Sequence, residues 1–137
     1  MDFSVAASIG GLPDFLMYLG AALILTVIYA VLYGLVTTHN ELALIRQNNA
    51  AAAIAFSGSL LGFVIPLASA ISNSVSLGDS LIWGVVALVV QVLAYFALRL
   101  GVDRLSDRIA AGEIGAGAWL GAGSLAAGIL NAASMTY

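Results

Sequence analysis

Four apolar runs alternate with short polar breaks along this chain. The first extends from about Asp14 to Val36 and reads FLMYLGAALILTVIYAVLYGLV; the second covers about Ala50 to Ile71. The third covers about Ser80 to Leu100, and the fourth begins near Ile114 and continues to the last residues. Each run is long enough to cross a hydrocarbon core of about 30 Å as a helix rising about 1.5 Å per residue. Helix is the expected conformation, because separate spans in lipid must satisfy their own backbone N–H and C=O groups. The pattern predicts an all-α, polytopic membrane protein of four transmembrane helices arranged as two hairpins. Residues 1–13 make an outer N-terminal arm. Residues 14–72 make the first hairpin with its loop at 37–49, and 79–137 the second with its loop at 101–113.

Composition narrows the class. Of 137 residues 62% are hydrophobic and only 8% charged, with a mean hydropathy of +1.08. A soluble domain carries about a quarter charged residues, so this chain has too little polar material for a water-facing surface. Four spans with short connections use nearly the whole length, so no soluble catalytic domain is expected. The start, Met1, Asp2, Phe3, lacks the basic region of a cleavable signal peptide. The first run is therefore expected to be a retained span.

Charge placement sets an expected orientation. The chain has no lysine, and its first arginine, Arg46, lies in the first loop. Arg99, Arg104 and Arg108 lie at the 101–113 loop, and no arginine falls in the N-terminal arm, the connection after Ile71 or the C-terminus. Under the positive-inside rule both arginine-bearing loops are cytoplasmic and both termini periplasmic, as in a multi-pass inner-membrane protein. Tyr18, Trp83 and Tyr137 then fall near the outer interface, and Tyr33, Tyr95 and Trp119 near the inner one.

The two halves resemble each other. A shift of 65 residues lays GSLLGFVIPLAS (Gly58 to Ser69) on GSLAAGILNAAS (Gly123 to Ser134). With both loops on one side, the repeat is parallel, about an axis along the membrane normal, unlike the inverted repeats of many secondary transporters. The same shift lays Thr26 on Gln91 and Ser59 on Ser124. These four sit near mid-span and are expected to form a polar midplane layer. Two readings fit such a layer: hydrogen-bonded glue between helices, or the lining of a water or solute path.

Small residues share faces on the second and fourth runs. Ala51, Ala55, Gly58, Gly62, Ser69 and Asn73 fall near one face, and Gly117, Gly121, Ser124, Gly128 and Asn131 near another. Gly58 with Gly62, and Gly117 with Gly121, have the GxxxG spacing that lets helix backbones meet. The spacing leaves open whether those faces meet within one chain or between copies. Pro66 is expected to kink the second span.

The loops hold most of the remaining polar residues. Thr38 followed by Glu41 has capping-box spacing, so helix is expected to restart near His39 and run into the second span. His39, Glu41, Arg46, Gln47, Asn48 and Asn49 then form a polar collar at the inner surface. The collar reads either as a solvated loop or as a docking surface for a cytoplasmic protein partner or lipid headgroups. In the second loop Asp103, Arg104, Asp107 and Arg108 alternate in sign at helical spacing, which suits local ion pairs and makes a poor nucleic-acid patch.

Chemistry is sparse. Cysteine is absent, His39 is the lone histidine, and no GxSxG, P-loop, HExxH or GxGxxG motif occurs. No metal, cofactor or base–nucleophile pair is expected, nor enzymatic activity. Acidic residues are missing from the span interiors, which argues against a proton-coupled pump of familiar type.

The strings HNELALIRQNNAAAAIAF from His39, PLASAISNSVSLGD from Pro66, WGVVALVVQVLAYF from Trp83 and the terminal NAASMTY resemble the YjfL family of bacterial inner-membrane proteins. The resemblance covers nearly all of the chain from about Val36. It implies four spans built from two copies of a domain of unknown function, in a family with no established reaction and no catalytic residues to transfer. Relatives encoded beside stress-response proteins imply a role at the stressed membrane. The expected function is a small structural or partner-binding protein of the inner membrane that self-assembles among lipids. The alternative is a homo-oligomeric channel or transporter for a small solute or ion.

Overall fold

A computed structural model describes residues 3–135. Among them the chain forms seven helices: α1 (Phe3–Gly10), α2 (Leu12–Val36), α3 (Glu41–Arg46), α4 (Ala50–Asn73), α5 (Leu77–Gly101), α6 (Leu105–Ala110) and α7 (Ile114–Ser134). Four stretches are long and apolar enough to cross a membrane: Val5–Val36, Ala50–Asn73, Leu77–Gly101 and Ile114–Ser134. The first takes in most of α1, so helix begins earlier than Asp14. Pro13 sits in the first turn of α2, where its missing N–H would have had no partner in any case. Large apolar side chains such as Leu23, Ile24, Val27, Leu93 and Leu130 face outward, as suits a surface solvated by hydrocarbon.

The centre of the bundle is the seam between α4 and α7. A methyl group at Gly58 would lie 2.2 Å from the Gly121 carbonyl oxygen, and one at Gly117 would lie 2.3 Å from that of Ala51. One at Gly128 would lie 2.0 Å from the Gly62 carbonyl oxygen. The N-terminal parts of both helices thus meet, as do their later turns, and the two run parallel, backbone against backbone. Such closeness supplies dispersion contacts that lipid cannot match. Pro66 shapes the same seam. It lacks the N–H that would bond the Gly62 carbonyl four residues back, and that freed carbonyl is the one against Gly128.

The outer helices are arranged unequally. α5 packs on both α4 and α7, whereas α2 packs on α4 and α5 without comparable contact to α7. A 65-residue shift nevertheless carries Leu12–Val36 onto Leu77–Gly101, the bounds of α5.

Sequence-coded caps set the breaks. Ser76 Oγ accepts from the Asp79 N–H at 3.1 Å to start α5, and Asp79 Oδ2 accepts from the Val75 N–H at 3.3 Å. The loop at 37–49 departs from expectation. Thr38 caps nothing described; Asn40 caps α3, its Oδ1 accepting from the Ala43 N–H at 3.2 Å. Nor does α3 run into the second span. It ends in a Schellman turn, with Asn48 at φ 65° and the Asn49 N–H donating to the Leu44 carbonyl at 2.9 Å. α6 ends in the same way around Gly112 at φ 85°, the Glu113 N–H donating to the Arg108 carbonyl at 3.0 Å. The left-handed residue breaks the helix in both places.

Asn49 joins the loops. Its Oδ1 caps α4 by accepting from the Ala52 N–H at 3.0 Å, while Nδ2 donates to the Ile109 and Ala110 carbonyls at 3.1 and 3.2 Å. Both loops therefore lie at one end of the bundle. In the second, Arg104 pairs with Asp107 at 3.4 Å and Arg108 with Glu113 at 3.1 Å, all at the surface.

Candidate functional site

Polar side chains in an apolar bundle are the natural place to look for function, since each is costly to bury without a partner. Three of the four expected midplane residues meet. Ser59 on α4 and Ser124 on α7 face each other with Oγ atoms 3.2 Å apart, and Gln91 on α5 donates from Nε2 to the Ser124 carbonyl at 2.9 Å. All three are buried. Gly62 makes the space: a methyl group there would lie 2.3 Å from both Gln91 Nε2 and the Ser124 carbonyl oxygen. Thr26 stays apart. Its hydroxyl donates back to the Ala22 carbonyl at 2.7 Å within α2.

A column of aromatic residues extends the layer toward the loops. Leu25, Tyr29 and Tyr33 fall one turn apart on the buried face of α2, as do Gln91 and Tyr95 on α5. Tyr29 stacks on Phe63 with ring centroids 4.8 Å apart. Tyr33 lies 6.4 Å from Tyr29, 6.2 Å from Tyr95 and 6.5 Å from His39, ring centre to ring centre. Tyr33 and Tyr95 are thus inside the bundle, 1% and 2% exposed, and not on the lipid-facing belt expected of them. Trp119 does lie exposed, its Nε1 donating to the Leu98 carbonyl at 2.9 Å. Tyr18 and Trp83 are half-buried; Tyr137 lies outside the described residues.

At the loop end the column meets a buried acid and base. His39 Nε2 stands 3.2 Å from Glu41 Oε1, and the Thr37 hydroxyl reaches both that oxygen and the Tyr33 carbonyl, the latter at 2.8 Å. Burial pushes the imidazole pKa below its usual value, and the neighbouring Glu41 carboxylate opposes that shift. The six collar residues therefore divide. His39 and Glu41 point inward, Arg46, Gln47 and Asn48 are exposed, and Asn49 joins the two loops. Several buried polar atoms close no protein hydrogen bond: Gln91 Oε1, the Tyr33 and Tyr95 hydroxyls and both His39 nitrogens. Among the described residues no three of His, Cys, Asp and Glu gather where they could hold a metal ion.

The roles of Tyr29 and Thr37 were missed in the sequence. The four-residue spacing of Leu25, Tyr29 and Tyr33 was the available signal for a buried face on α2. Nothing local marks Thr37 as the partner of Glu41.

On the opposite face of the α4–α7 seam, Ala53, Ser57, Gly58, Gly121, Ala122 and Leu125 line an open apolar groove of about 370 Å³.

Comparison with known proteins places these features in context. The profile of a family described as Domain of Unknown Function (DUF350) matches residues 7–135. The chain is 46% identical over 120 residues to the UPF0719 inner membrane protein YjfL of Escherichia coli strain K12, covering 88% of this chain and 89% of that protein. The protein of the same name from Escherichia coli O157:H7 matches equally. No solved structure matches the chain.

Proposed function

The chain belongs to the DUF350 family, and from that premise we propose that it is a structural, self-assembling component of the inner membrane, with both loops cytoplasmic and both termini periplasmic. The supporting observation is the closed midplane. Ser59 bonds Ser124 and Gln91 Nε2 bonds the Ser124 carbonyl, across three helices, and the glycine seam leaves no lumen between α4 and α7. Glue, in this reading, is the work of the polar layer.

Self-assembly is supported by the groove at Ser57 and Ala122. α5 covers one side of the seam, and among the described residues nothing covers the other. If the halves are an internal repeat, the missing cover corresponds to an α2-like helix, which a second copy can provide. Arg46, Gln47 and Asn48, exposed beside the membrane, suit a cytoplasmic partner, and the family resemblance suggests envelope stress as the setting.

Nanodisc-reconstituted protein tests the reading by mass. The wild type is expected as an oligomer and Ala122→Trp, which fills the groove from the lipid side, as a folded single chain. Unchanged assembly of Ala122→Trp would remove the groove from the account.

The unpartnered Gln91 Oε1, Tyr33 and Tyr95 hydroxyls favour a second reading, a path for water or a small ion along the column. Liposome flux separates the two. A wild-type flux above that of empty liposomes, abolished by Gln91→Leu, would establish the path; no flux above that level supports the structural reading.

A further inference from the structure

A second pocket lies on the other side of α4 from the α7 seam. It has a volume of about 340 Å³ between α2, α3 and α4, and its walls include Val27, Val31, Ile45 and Phe56. Its polar lining is confined to one end, where Asn40 and Glu41 stand. Val27 and Val31 are more than half exposed, at 62% and 57%, so the apolar part opens outward along α2. Glu41 is the reverse: its side chain is only 10% exposed, although no arginine pairs with it. One of its oxygens, Oε1, accepts from the Thr37 hydroxyl and lies 3.2 Å from His39 Nε2. The other, Oε2, lies on the pocket side, 3.8 Å from where a methyl group at Gly34 would stand. Gly34 is exposed and carries no side chain to shield that oxygen.

We propose that this pocket is a lipid site that holds the ammonium headgroup of phosphatidylethanolamine on Glu41, with an acyl chain along Val27, Val31 and Phe56. A buried carboxylate with one free oxygen needs a cationic donor, and a primary ammonium supplies three N–H groups. The depressed pKa of His39 keeps the imidazole from supplying the positive charge near neutral pH. The continuous apolar wall selects an amphiphile over a soluble amine. The position, at the loop end of α2, is where headgroups lie when acyl chains run alongside Val27. Phosphatidylcholine lacks the N–H donors, and phosphatidylglycerol lacks the cation.

The test is lipid retention. Full-length protein reconstituted with equimolar dioleoyl phosphatidylethanolamine, phosphatidylglycerol and phosphatidylcholine is extracted in mild detergent, and its retained lipids are counted by native mass spectrometry. The wild type is expected to favour phosphatidylethanolamine by roughly tenfold, the scale of one hydrogen bond to a charged group. Glu41→Gln, which keeps the shape and removes the charge, is expected to bring retention near parity. Gly34→Leu, which fills the pocket from an exposed helix face and leaves the buried cluster intact, is expected to do the same. It decides the matter if Glu41→Gln does not fold. Equal retention of the three lipids by the wild type, or an undiminished preference in folded Gly34→Leu, would overturn the site. The result is independent of oligomeric state, so it stands or falls apart from self-assembly.

Discussion

Ser59 and Ser124, 65 residues apart in the chain, face each other with their hydroxyl oxygens 3.2 Å apart. The same interval lays Gly58–Ser69 on Gly123–Ser134 in the sequence. Residues equivalent under a two-fold meet when the axis passes between them, so this contact is what a parallel repeat about the membrane normal would produce at its centre. The periphery departs from such symmetry. Gln91 reaches the seam from α5, while its counterpart Thr26 bonds within α2.

The serine pair is expected to couple weakly. Interhelical hydrogen bonds in membrane proteins average about 0.6 kcal/mol in double-mutant cycles. Ser59→Ala and Ser124→Ala should each destabilise by about that amount, and the double variant by clearly less than the sum. Reversible unfolding in mixed micelles measures the cycle; strict additivity would mean that the hydroxyls do not interact.

Glycine substitutions should separate by position. Gly58→Ala and Gly128→Ala place a methyl group on the opposing backbone, at 2.2 and 2.0 Å, and should cost about 3 kcal/mol or more, at or beyond the upper end of overpacking penalties. Gly115→Ala meets nothing within 4 Å and should be neutral or slightly stabilising. Thermal unfolding of the three variants checks the order.

Asn49 does two jobs and Asn40 one. Asn49→Ala loses a helix cap and the bonds that hold α6 against the first loop, whereas Asn40→Ala loses a cap alone. The cap is worth about 1 kcal/mol, so Asn49→Ala should cost about twice as much. Faster hydrogen exchange at Ala111, Gly112 and Glu113 should accompany Asn49→Ala and not Asn40→Ala.

His39 should make the fold acid-sensitive. Its pKa is lowered by burial, so the unfolded chain binds a proton more readily than the folded one. That contribution to stability is complete above the ordinary histidine value and declines as pH falls through it toward the lower folded value. His39→Gln should flatten the fall in melting temperature over that window. A wild-type slope retained in His39→Gln would assign it to other groups.

Much of the architecture was legible, because a membrane span announces itself by an uninterrupted apolar run. α4 and α7 begin where expected, and the GxxxG pairs marked the faces that meet. Three midplane residues came together for the same reason, since mid-span polar groups in lipid seek one another. Thr26 did not, because a threonine in a helix can bond the carbonyl four residues back and needs no neighbour. His39 and Glu41 were misread for a related cause. Their polar setting resembles a solvated loop, and only the return of the chain over Tyr33 buries them. The cap at Asn40 in place of Thr38 reflects the same fold-back, since Thr37 and Glu41 are engaged with each other.

The closed seam is tested most directly by oxidative cross-linking. The chain has no cysteine, so Ser59→Cys/Ser124→Cys introduces one pair, which can be oxidised in native membranes and followed on non-reducing gels. The account predicts an intramolecular disulfide, with the product at monomer mobility and both thiols inaccessible to a membrane-impermeant maleimide before oxidation. Thiols that fail to join and that label readily from water would contradict it, and would place a hydrated path where the two helices are held to touch.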